Sequence, residues 1–245
     1  MIGPKTGRIT LNVDDGTEMG AYVSRPSKPG LRAGMLVLQE ALGVNSQIRG
    51  VADRYASLGF VAIAPDLFHR TRPGYEATTI VTEEVMPLVR SLTTDGLRAD
   101  VSAAHRWLTS SDGAHVTRTA AVGFCMGGRA AYLANSTLPL AAAISYYGGS
   151  IAPALLDRAA SLHGPQLFFW GGKDKGIPAE QRHAVADALR AAGRPFVAVE
   201  FSEADHAFFN EQVDRYNAAA ARQSWALGIA FLEASLGVEI GAGHE

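Results

Sequence analysis

The stretch that decides the fold is Gly123-Phe124-Cys125-Met126-Gly127-Gly128, between the apolar residues 120–122 and the helix-forming residues 129–135. This order predicts a strand, a sharp turn and a helix. The pattern G-x-C-x-G is that of a nucleophile elbow, in which glycines flank the central residue because strand and helix backbones pass too close for a Cβ. Cys125 would then sit at the tip of the turn, near unpaired N–H groups and the positive end of the helix dipole, which favour a thiolate.

The same residues allow a simpler interpretation. A lone cysteine is usually a small, inert core residue, and a five-residue glycine pattern also occurs by chance. The choice between the two depends on what the rest of the chain supplies.

Composition narrows the class of protein. The 245 residues are 47% hydrophobic and 19% charged with a net charge of −2, which predicts one globular domain over 1–245 and argues against nucleic acid or an anionic membrane as partner. A single cysteine excludes an internal disulfide and fits a reducing compartment. The N-terminus lacks a signal-peptide apolar segment, and no window approaches the roughly 18 apolar residues of a membrane helix. We therefore expect a cytoplasmic protein, and the oligomeric state is left open.

Hydrophobic patterning predicts an α/β fold. Residues 8–13 and 19–24, separated by Asp14-Asp15-Gly16-Thr17, indicate an antiparallel hairpin. Strands follow at 34–38, 60–64, 119–123, 141–146, 166–170 and 196–201, and helices at 46–58, 95–108, 179–192 and 214–236. The alternation implies a mostly parallel central sheet flanked by helices on both faces. Residues 67–87 are irregular and are expected to form a cap segment over the site, and residues 237–245 a loose tail.

Two loops that follow predicted strands supply partners for a cysteine nucleophile. Asp174 lies in Gly171-Gly172-Lys173-Asp174, and His206 lies just before the last helix. The carboxyl ends of parallel strands share one edge, so Cys125, Asp174 and His206 can converge there, in the chain order of α/β-hydrolases. A free thiol has a pKa of about 8.5, so an imidazole must accept its proton, and a carboxylate orients that imidazole. Asp174 as a turn residue, His206 as a surface histidine, and Asp205 as the acid remain alternatives.

Several motifs resemble those of the dienelactone hydrolase family of α/β-hydrolases, in the same order along the chain. They are Gln39 to Asn45 with Arg49, Gly59 to Phe68, the elbow, Tyr147-Gly148-Gly149, Gly171 to Asp174, and His206-Ala207-Phe208. The resemblance spans about 35–209 and implies the α/β-hydrolase fold, hydrolysis of a small ester or lactone, and a triad of Cys125, Asp174 and His206.

The resemblance also implies a role for Glu40. In that family the thiol rests against this glutamate, and substrate binding displaces the carboxylate so that it takes the thiol proton. Burial at a strand end would raise the pKa of Glu40, which independently suits it to hold a proton near neutrality; an ion pair with Arg49 is the alternative. By the same resemblance the backbone N–H groups of Ala41 and Met126 form the oxyanion hole, where each donor is typically worth about 2.7 to 4 kcal/mol.

The sequence departs from the family where the substrate carboxylate would bind. Dienelactone-specific members clamp that carboxylate with arginines, one of them four residues after the catalytic histidine, where this chain has Asn210. Segment 80–86 lacks the other arginine, although Arg70 and Arg72 lie nearby. An amide cannot replace the charge of a bidentate arginine, so dienelactone itself is not the expected substrate. Tyr146 and Phe208 are expected to line an apolar pocket beside Arg70 and Arg72.

Two functions remain open at this point. The first is a hydrolase of a small ester or lactone that works through a Cys125 acyl-enzyme, with no cofactor and no metal, since no metal-ligand spacing is present. The second is an α/β-hydrolase-fold protein without turnover that binds a small ligand or senses oxidation through Cys125. The presence of Glu40, Asp174 and His206 favours turnover, because a sensor needs only the thiolate.

Overall fold

The computed structural model describes residues 3–28, 31–79 and 81–240. Its strands are β1 (Lys5–Asn12), β2 (Glu18–Arg25), β3 (Ala33–Leu38), β4 (Val61–Pro65), β5 (Arg118–Phe124), β6 (Ala142–Tyr146), β7 (Gln166–Gly171) and β8 (Phe196–Phe201). Its α-helices are α1 (Ser46–Ser57), α2 (Thr82–Ser91), α3 (Thr94–Thr109), α4 (Met126–Asn135), α5 (Ala179–Ala191) and α6 (Ala218–Leu236), with a 3₁₀ helix at Leu156–Ser161.

The strands form one eight-stranded sheet in the order β1-β2-β4-β3-β5-β6-β7-β8. The β1–β2 and β2–β4 pairs are antiparallel, and the remaining pairs are parallel. Strands β3 and β6 are buried along their whole length because helices cover the sheet. The α/β-hydrolase fold class and the N-terminal hairpin are thus confirmed. Within the described ranges, no helix combines the length and hydropathy needed to cross a bilayer.

Local sequence explains where two of the helices begin. Asn45 caps α1, since its side chain accepts the N–H of Ile48. Asn217 caps α6 by accepting the N–H of Ala220, so this helix begins at Ala218 and not at 214. Residues 211–216 form turns before it.

The predicted cap segment contains turns followed by α2, with residue 80 outside the described part. Phe68, Tyr75, Val85 and Leu88 form a small hydrophobic cluster separate from the main core, and Ala41 and Met126 pack against it. The segment therefore lies over the residues that flank Glu40 and Cys125.

The prediction of a loose tail is wrong for its first four residues. Gly237 ends α6 in the left-handed conformation, with φ 62°. The buried Ile240 then donates its N–H to Glu233 Oε1 at 2.8 Å, so residues 237–240 fold back on the helix. Residues 241–245 lie outside the described part of the chain.

Candidate active site

The elbow is built as the glycine pattern predicts. Strand β5 ends at Phe124, α4 begins at Met126, and Cys125 between them has φ 54° and ψ −120°. A Cβ on Gly123 would overlap the carbonyl of Gly127, and a Cβ on Gly127 would overlap backbone carbonyls at the end of β3. Only glycine fits at either position, because neither backbone can move away without opening the sheet–helix contact.

The start of α4 has free backbone donors. Cys125 provides no side-chain cap for the helix, and its carbonyl accepts the N–H groups of Gly128 and Arg129. Among the described residues, the N–H groups of Met126 and Ala41 donate no hydrogen bond. Ala41 and Met126 also pack against the same small hydrophobic cluster, and an N–H group without a partner can receive a ligand oxygen.

Asp174 and His206 form a short hydrogen bond at the same sheet edge. Asp174 Oδ2 lies 2.7 Å from His206 Nδ1, and Asp174 Oδ1 accepts the N–H of Gly176 at 2.8 Å. An ionised carboxylate can only accept, so Nδ1 carries the proton and Nε2 is left for Cys125. Cys125 contributes to the raised pKa of His206, so the two side chains interact at this edge. Asp205 instead accepts the backbone N–H of His206 at 2.6 Å, which leaves the ring to Asp174.

The electrostatics of this pair favour the charged forms. Burial alone would lower the pKa of His206, but the hydrogen bonds to Asp174 and Cys125 outweigh it and raise the pKa to about 10. Burial would raise the pKa of Asp174, yet its hydrogen bond to His206 dominates and the pKa falls below its usual value. The raised pKa makes His206 a strong acceptor for a proton at Nε2, and the ionised Asp174 carboxylate stabilises the imidazolium that then forms.

Glu40 follows β3 and is almost fully buried. The Tyr147 hydroxyl donates to Glu40 Oε1 at 2.8 Å, and Asn210 Nδ2 donates to Oε2 at 2.6 Å. Burial raises the pKa of Glu40 and these two bonds offset part of the rise. The alternative ion pair is not formed, since Arg49 binds Glu76 and the Val44 carbonyl.

The two arginines predicted to line a substrate pocket make contacts with other residues of the chain. Arg70 makes a bidentate contact with Asp100 of α3, at 2.8 and 2.9 Å, and a further bond with Asp15 in the hairpin turn. Arg72 packs over the Tyr75 ring at 4.8 Å. Opposite charge or an aromatic face holds each guanidinium in this structure, so binding a substrate would require either arginine to leave these contacts.

The two aromatic residues assigned to the pocket belong to the core. Tyr146 is buried and its ring lies 4.8 Å from those of Phe124 and Phe209. Phe208 is fully buried and packs against the Tyr147 ring at 5.3 Å. Both side chains are buried in the core and expose almost no surface to a ligand.

Tyr147 and Asn210 are the site residues that sequence reasoning missed. Tyr147 belongs to a quoted motif, Tyr147-Gly148-Gly149, and Asn210 was noted only for the charge it lacks. Tyr147 adopts φ 38° at the end of β6, which turns its hydroxyl to Glu40. In the described ranges, no group of three His, Cys, Asp or Glu residues is placed to hold a metal ion.

Comparison with known proteins identifies the family. The sequence pattern described as the dienelactone hydrolase family matches residues 19–236. A candidate carboxymethylenebutenolidase of Yersinia pestis is 33% identical over 232 residues, which cover 91% of this chain and 86% of that protein. One from Escherichia coli strain K12 is 33% identical over 219 residues, with coverage of 86% and 80%.

A solved structure agrees with the sequence relatives. The crystal structure of a candidate dienelactone hydrolase from Klebsiella pneumoniae superimposes with a TM-score of 0.83 at 30% identity, and the match covers 94% of this chain and 98% of that one. The motifs on which the resemblance rested thus belong to a match over nearly the whole chain, and the protein is a member of the dienelactone hydrolase family.

Proposed function

We propose that this protein hydrolyses a small, uncharged carboxylic ester or lactone through an acyl-enzyme on Cys125. The observation that carries the proposal is the hydrogen bond between Asp174 and His206, together with the interaction of Cys125 with the same imidazole. Two N–H groups that donate no hydrogen bond in the described structure could receive an oxyanion, that of Met126 at the elbow and that of Ala41 after β3. A nucleophile, an oriented base and oxyanion donors are what acyl transfer requires.

The reaction follows from these positions. His206 Nε2 takes the proton of Cys125, and the sulfur electron pair forms a bond to the ester carbonyl carbon. The carbonyl oxygen becomes an oxyanion that accepts from Ala41 and Met126. When the tetrahedral intermediate collapses, the ester C–O bond breaks and His206 gives its proton to the leaving oxygen. Water then attacks the thioester with His206 as base, which releases the acid and restores Cys125.

The charges around the site favour an uncharged substrate. The relatives are named carboxymethylenebutenolidases, which suggests lactone hydrolysis for this chain too. However, Arg70 is held by Asp100 and Asp15, Arg49 is held by Glu76, and Asn210 donates to Glu40. Because these arginines are already paired, neither would balance the negative charge of a substrate carboxylate near the buried Glu40.

A burst-phase assay with p-nitrophenyl acetate, followed by mass spectrometry of the trapped protein, tests the proposal. We expect an acetyl group on Cys125 that turns over, and no acetylation in Cys125→Ala. His105→Gln is the control, because His105 is a partly buried histidine bonded to Thr119. Full activity in Cys125→Ala would refute the proposal.

The choice of substrate needs a second measurement. We expect p-nitrophenyl acetate to have a higher kcat/KM than the p-nitrophenyl monoester of succinic acid, which carries a free carboxylate. The opposite order would reject the uncharged substrate while leaving the nucleophile in place.

The ligand binder or thiol redox sensor is the second candidate function, and it rests on a partly exposed Cys125. A stable acetyl adduct without turnover, together with ligand affinity that changes on reversible oxidation of Cys125, would favour it. A cytoplasmic location, a single domain, and the lack of nucleic-acid and membrane partners stay predictions from composition.

A further inference from the structure

A tight turn after β3 carries the backbone N–H group of Ala41. The N–H of Gly43 donates to the Glu40 carbonyl at 3.2 Å, so Ala41 and Leu42 are the two central residues of this turn. Within the described part of the chain, the N–H of Ala41 donates no hydrogen bond. No partner fixes its direction, which therefore follows from the orientation of the turn as a whole.

The same turn lies next to the elbow. A Cβ on Gly127 would overlap the carbonyl oxygens of Leu38 and Gln39, so the first turn of α4 touches the strand end that leads into the tight turn. Ala41 and Met126 also pack against one small hydrophobic cluster. A shift of the turn would therefore move the N–H of Ala41 relative to the nucleophile.

A short piece of the cap segment, residues 75–77, holds the far end of the turn. Gly43 forms an antiparallel β-bridge with Glu76, and the N–H of Ala77 donates to the Leu42 carbonyl at 3.0 Å. The two backbones approach so closely that a Cβ on Gly43, where φ is 79°, would overlap a backbone carbonyl of this piece. The turn is thus paired with the cap segment through main-chain contacts.

Two ion pairs of Glu76 fix this piece of the cap segment. Nη1 of Arg49, on α1, donates to Glu76 Oε2 at 2.5 Å and to the Val44 carbonyl at the same distance. One guanidinium nitrogen therefore joins the cap segment to the chain just after the turn. Arg8 of β1 donates to the other carboxylate oxygen at 2.6 Å. The side chains of Arg49 and Glu76 are only 26% and 30% exposed, so salt screens their contact less than that of a fully exposed pair.

We propose that Glu76 and Arg49 are positioning residues for the oxyanion donor Ala41. They act through the backbone: they hold residues 75–77 against the turn, and the turn directs the N–H of Ala41 toward the oxygen on which negative charge develops. The inference rests on the proposed function, because this direction matters only if an acyl-transfer oxyanion forms. It gives a role to Gly43 and Arg49, two motif residues that the proposed reaction does not otherwise use.

The test compares two reactions of Cys125 that differ in their need for an oxyanion donor. Acylation by p-nitrophenyl acetate passes through a tetrahedral oxyanion. Alkylation by iodoacetamide does not, because the S–C bond forms as the C–I bond breaks at a saturated carbon and iodide leaves. We expect Glu76→Gln and Arg49→Gln each to slow the acylation burst about tenfold, a part of the roughly 10²- to 10³-fold that loss of a whole donor costs. The alkylation rate should stay within about twofold of the native rate, since that reaction uses no oxyanion donor.

A control and a double variant sharpen the comparison. Asp14→Asn is the control, because Asp14 also joins two elements through an ion pair, with Arg106 of α3 at 2.8 Å, but it belongs to the hairpin turn. It should leave both rates unchanged. In the double variant with Glu76→Gln and Arg49→Gln, acylation should fall by less than the product of the two single effects, because both substitutions break the same contact. Effects that multiply would overturn the pairing.

The outcomes separate this inference from the proposed function. Equal losses of acylation and alkylation would overturn the inference, since they would indicate damage to Cys125 itself and not to an oxyanion donor. Native acylation rates in both single variants would also overturn it, while the proposed function stands. If the native protein is not acylated at Cys125, the proposed function has failed and the inference falls with it. Near-UV circular dichroism identifies a variant that does not fold, and the other single variant then decides.

Discussion

The contact between Asp174 and His206 is the one whose loss we expect to slow hydrolysis most. The rise in the pKa of His206 from 6.5 to about 10 corresponds to about 5 kcal/mol in favour of the imidazolium. The bond to Asp174 is the largest favourable contribution to that rise. In Asp174→Asn the amide oxygen can still accept from Gly176, but no charge faces the ring. If half of the energy is lost, about 2.5 kcal/mol, kcat/KM falls roughly 100-fold, and a ring in the wrong tautomer extends the loss toward about 10⁴-fold.

The assay is kcat/KM for p-nitrophenyl acetate with the native protein and two variants. Asp205→Asn is the control, because Asp205 accepts the backbone N–H of His206 and not the ring; we expect a change of less than about threefold, as for substitutions outside the reacting groups. Native activity in Asp174→Asn with a large loss in Asp205→Asn would refute the assignment and make Asp205 the acid of the triad.

The same pair makes stability depend on pH, with a definite sign. The raised pKa of His206 contributes stability that is complete below 6.5 and is lost as the pH rises through about 10. The lowered pKa of Asp174 contributes stability above 3.8 that is lost as the pH falls. The free energy of unfolding in urea should therefore differ most between the native protein and Asp174→Asn in the range from pH 3.8 to pH 6.5. A difference that grows toward pH 10 would contradict the pairing.

Three further variants test other parts of the structure. Gly127→Ala should lower the free energy of unfolding in urea by about 1 to 3 kcal/mol or more, whereas Gly20→Ala should change it little, because a Cβ there meets nothing within 4 Å. Glu40→Gln should raise Tm at pH 8, because burial penalises the ionised carboxyl group. This gain in Tm should vanish as the pH falls toward 4.5, where the native carboxyl group becomes protonated. A lower Tm of the variant at pH 8 would contradict this prediction. Arg70→Ala should cost about 3 kcal/mol because it strips the bidentate partner from a buried aspartate of α3. The exposed Arg72 should cost under about 1 kcal/mol when changed to alanine, and a raised KM for a carboxylate-bearing ester in Arg70→Ala alone would return Arg70 to the site.

Most of the fold could be predicted because its signals are local. The glycines of the elbow, the turn residues of the hairpin and the apolar runs of β3 to β8 each specify an element without reference to the rest of the chain. The cap was less predictable. Helix α2 contains Pro87 and is short, and it is fixed by contacts of Val85 and Leu88 with Phe68 and Tyr75. Tertiary packing decides such a segment more than its own propensity does.

The site residues likewise include some that the sequence predicts and some that it does not. Cys125, Asp174 and His206 follow strands of one parallel sheet, so topology alone brings them to a common edge. The hydrogen bonds that Tyr147 and Asn210 donate to Glu40 span 107 and 170 positions, and they depend on the directions of two side chains, which no periodicity encodes. The contacts of Arg70 could not be predicted for a related reason. The sequence shows that Arg70 is charged. Whether it pairs with Asp100 or with a ligand depends on where α3 lies relative to the cap segment.

Backbone conformation links the site to the core beneath it. Cys125, Tyr147 and Ala207 all have positive φ, at 54°, 38° and 62°, and a side-chain-bearing residue in this region costs about 1 to 3 kcal/mol. Such conformations persist only where the surroundings leave no alternative. Here the surroundings are a layer of aromatic rings: the rings of Phe124 and Phe209 lie 5.3 Å apart, and each lies 4.8 Å from the ring of Tyr146.

These rings immediately adjoin the strained residues in the chain, since Phe124 precedes Cys125, Tyr146 precedes Tyr147, and Phe208 and Phe209 follow Ala207. We therefore expect a change in the packing of this layer to move Cys125, Tyr147 or the loop of His206. Because packed interiors resist partial collapse, a displacement of these rings shifts the backbone of all three adjoining loops together. The buried Tyr146 and Phe208, which the sequence analysis placed in a pocket, thus support the backbone that carries Cys125, Tyr147 and Ala207.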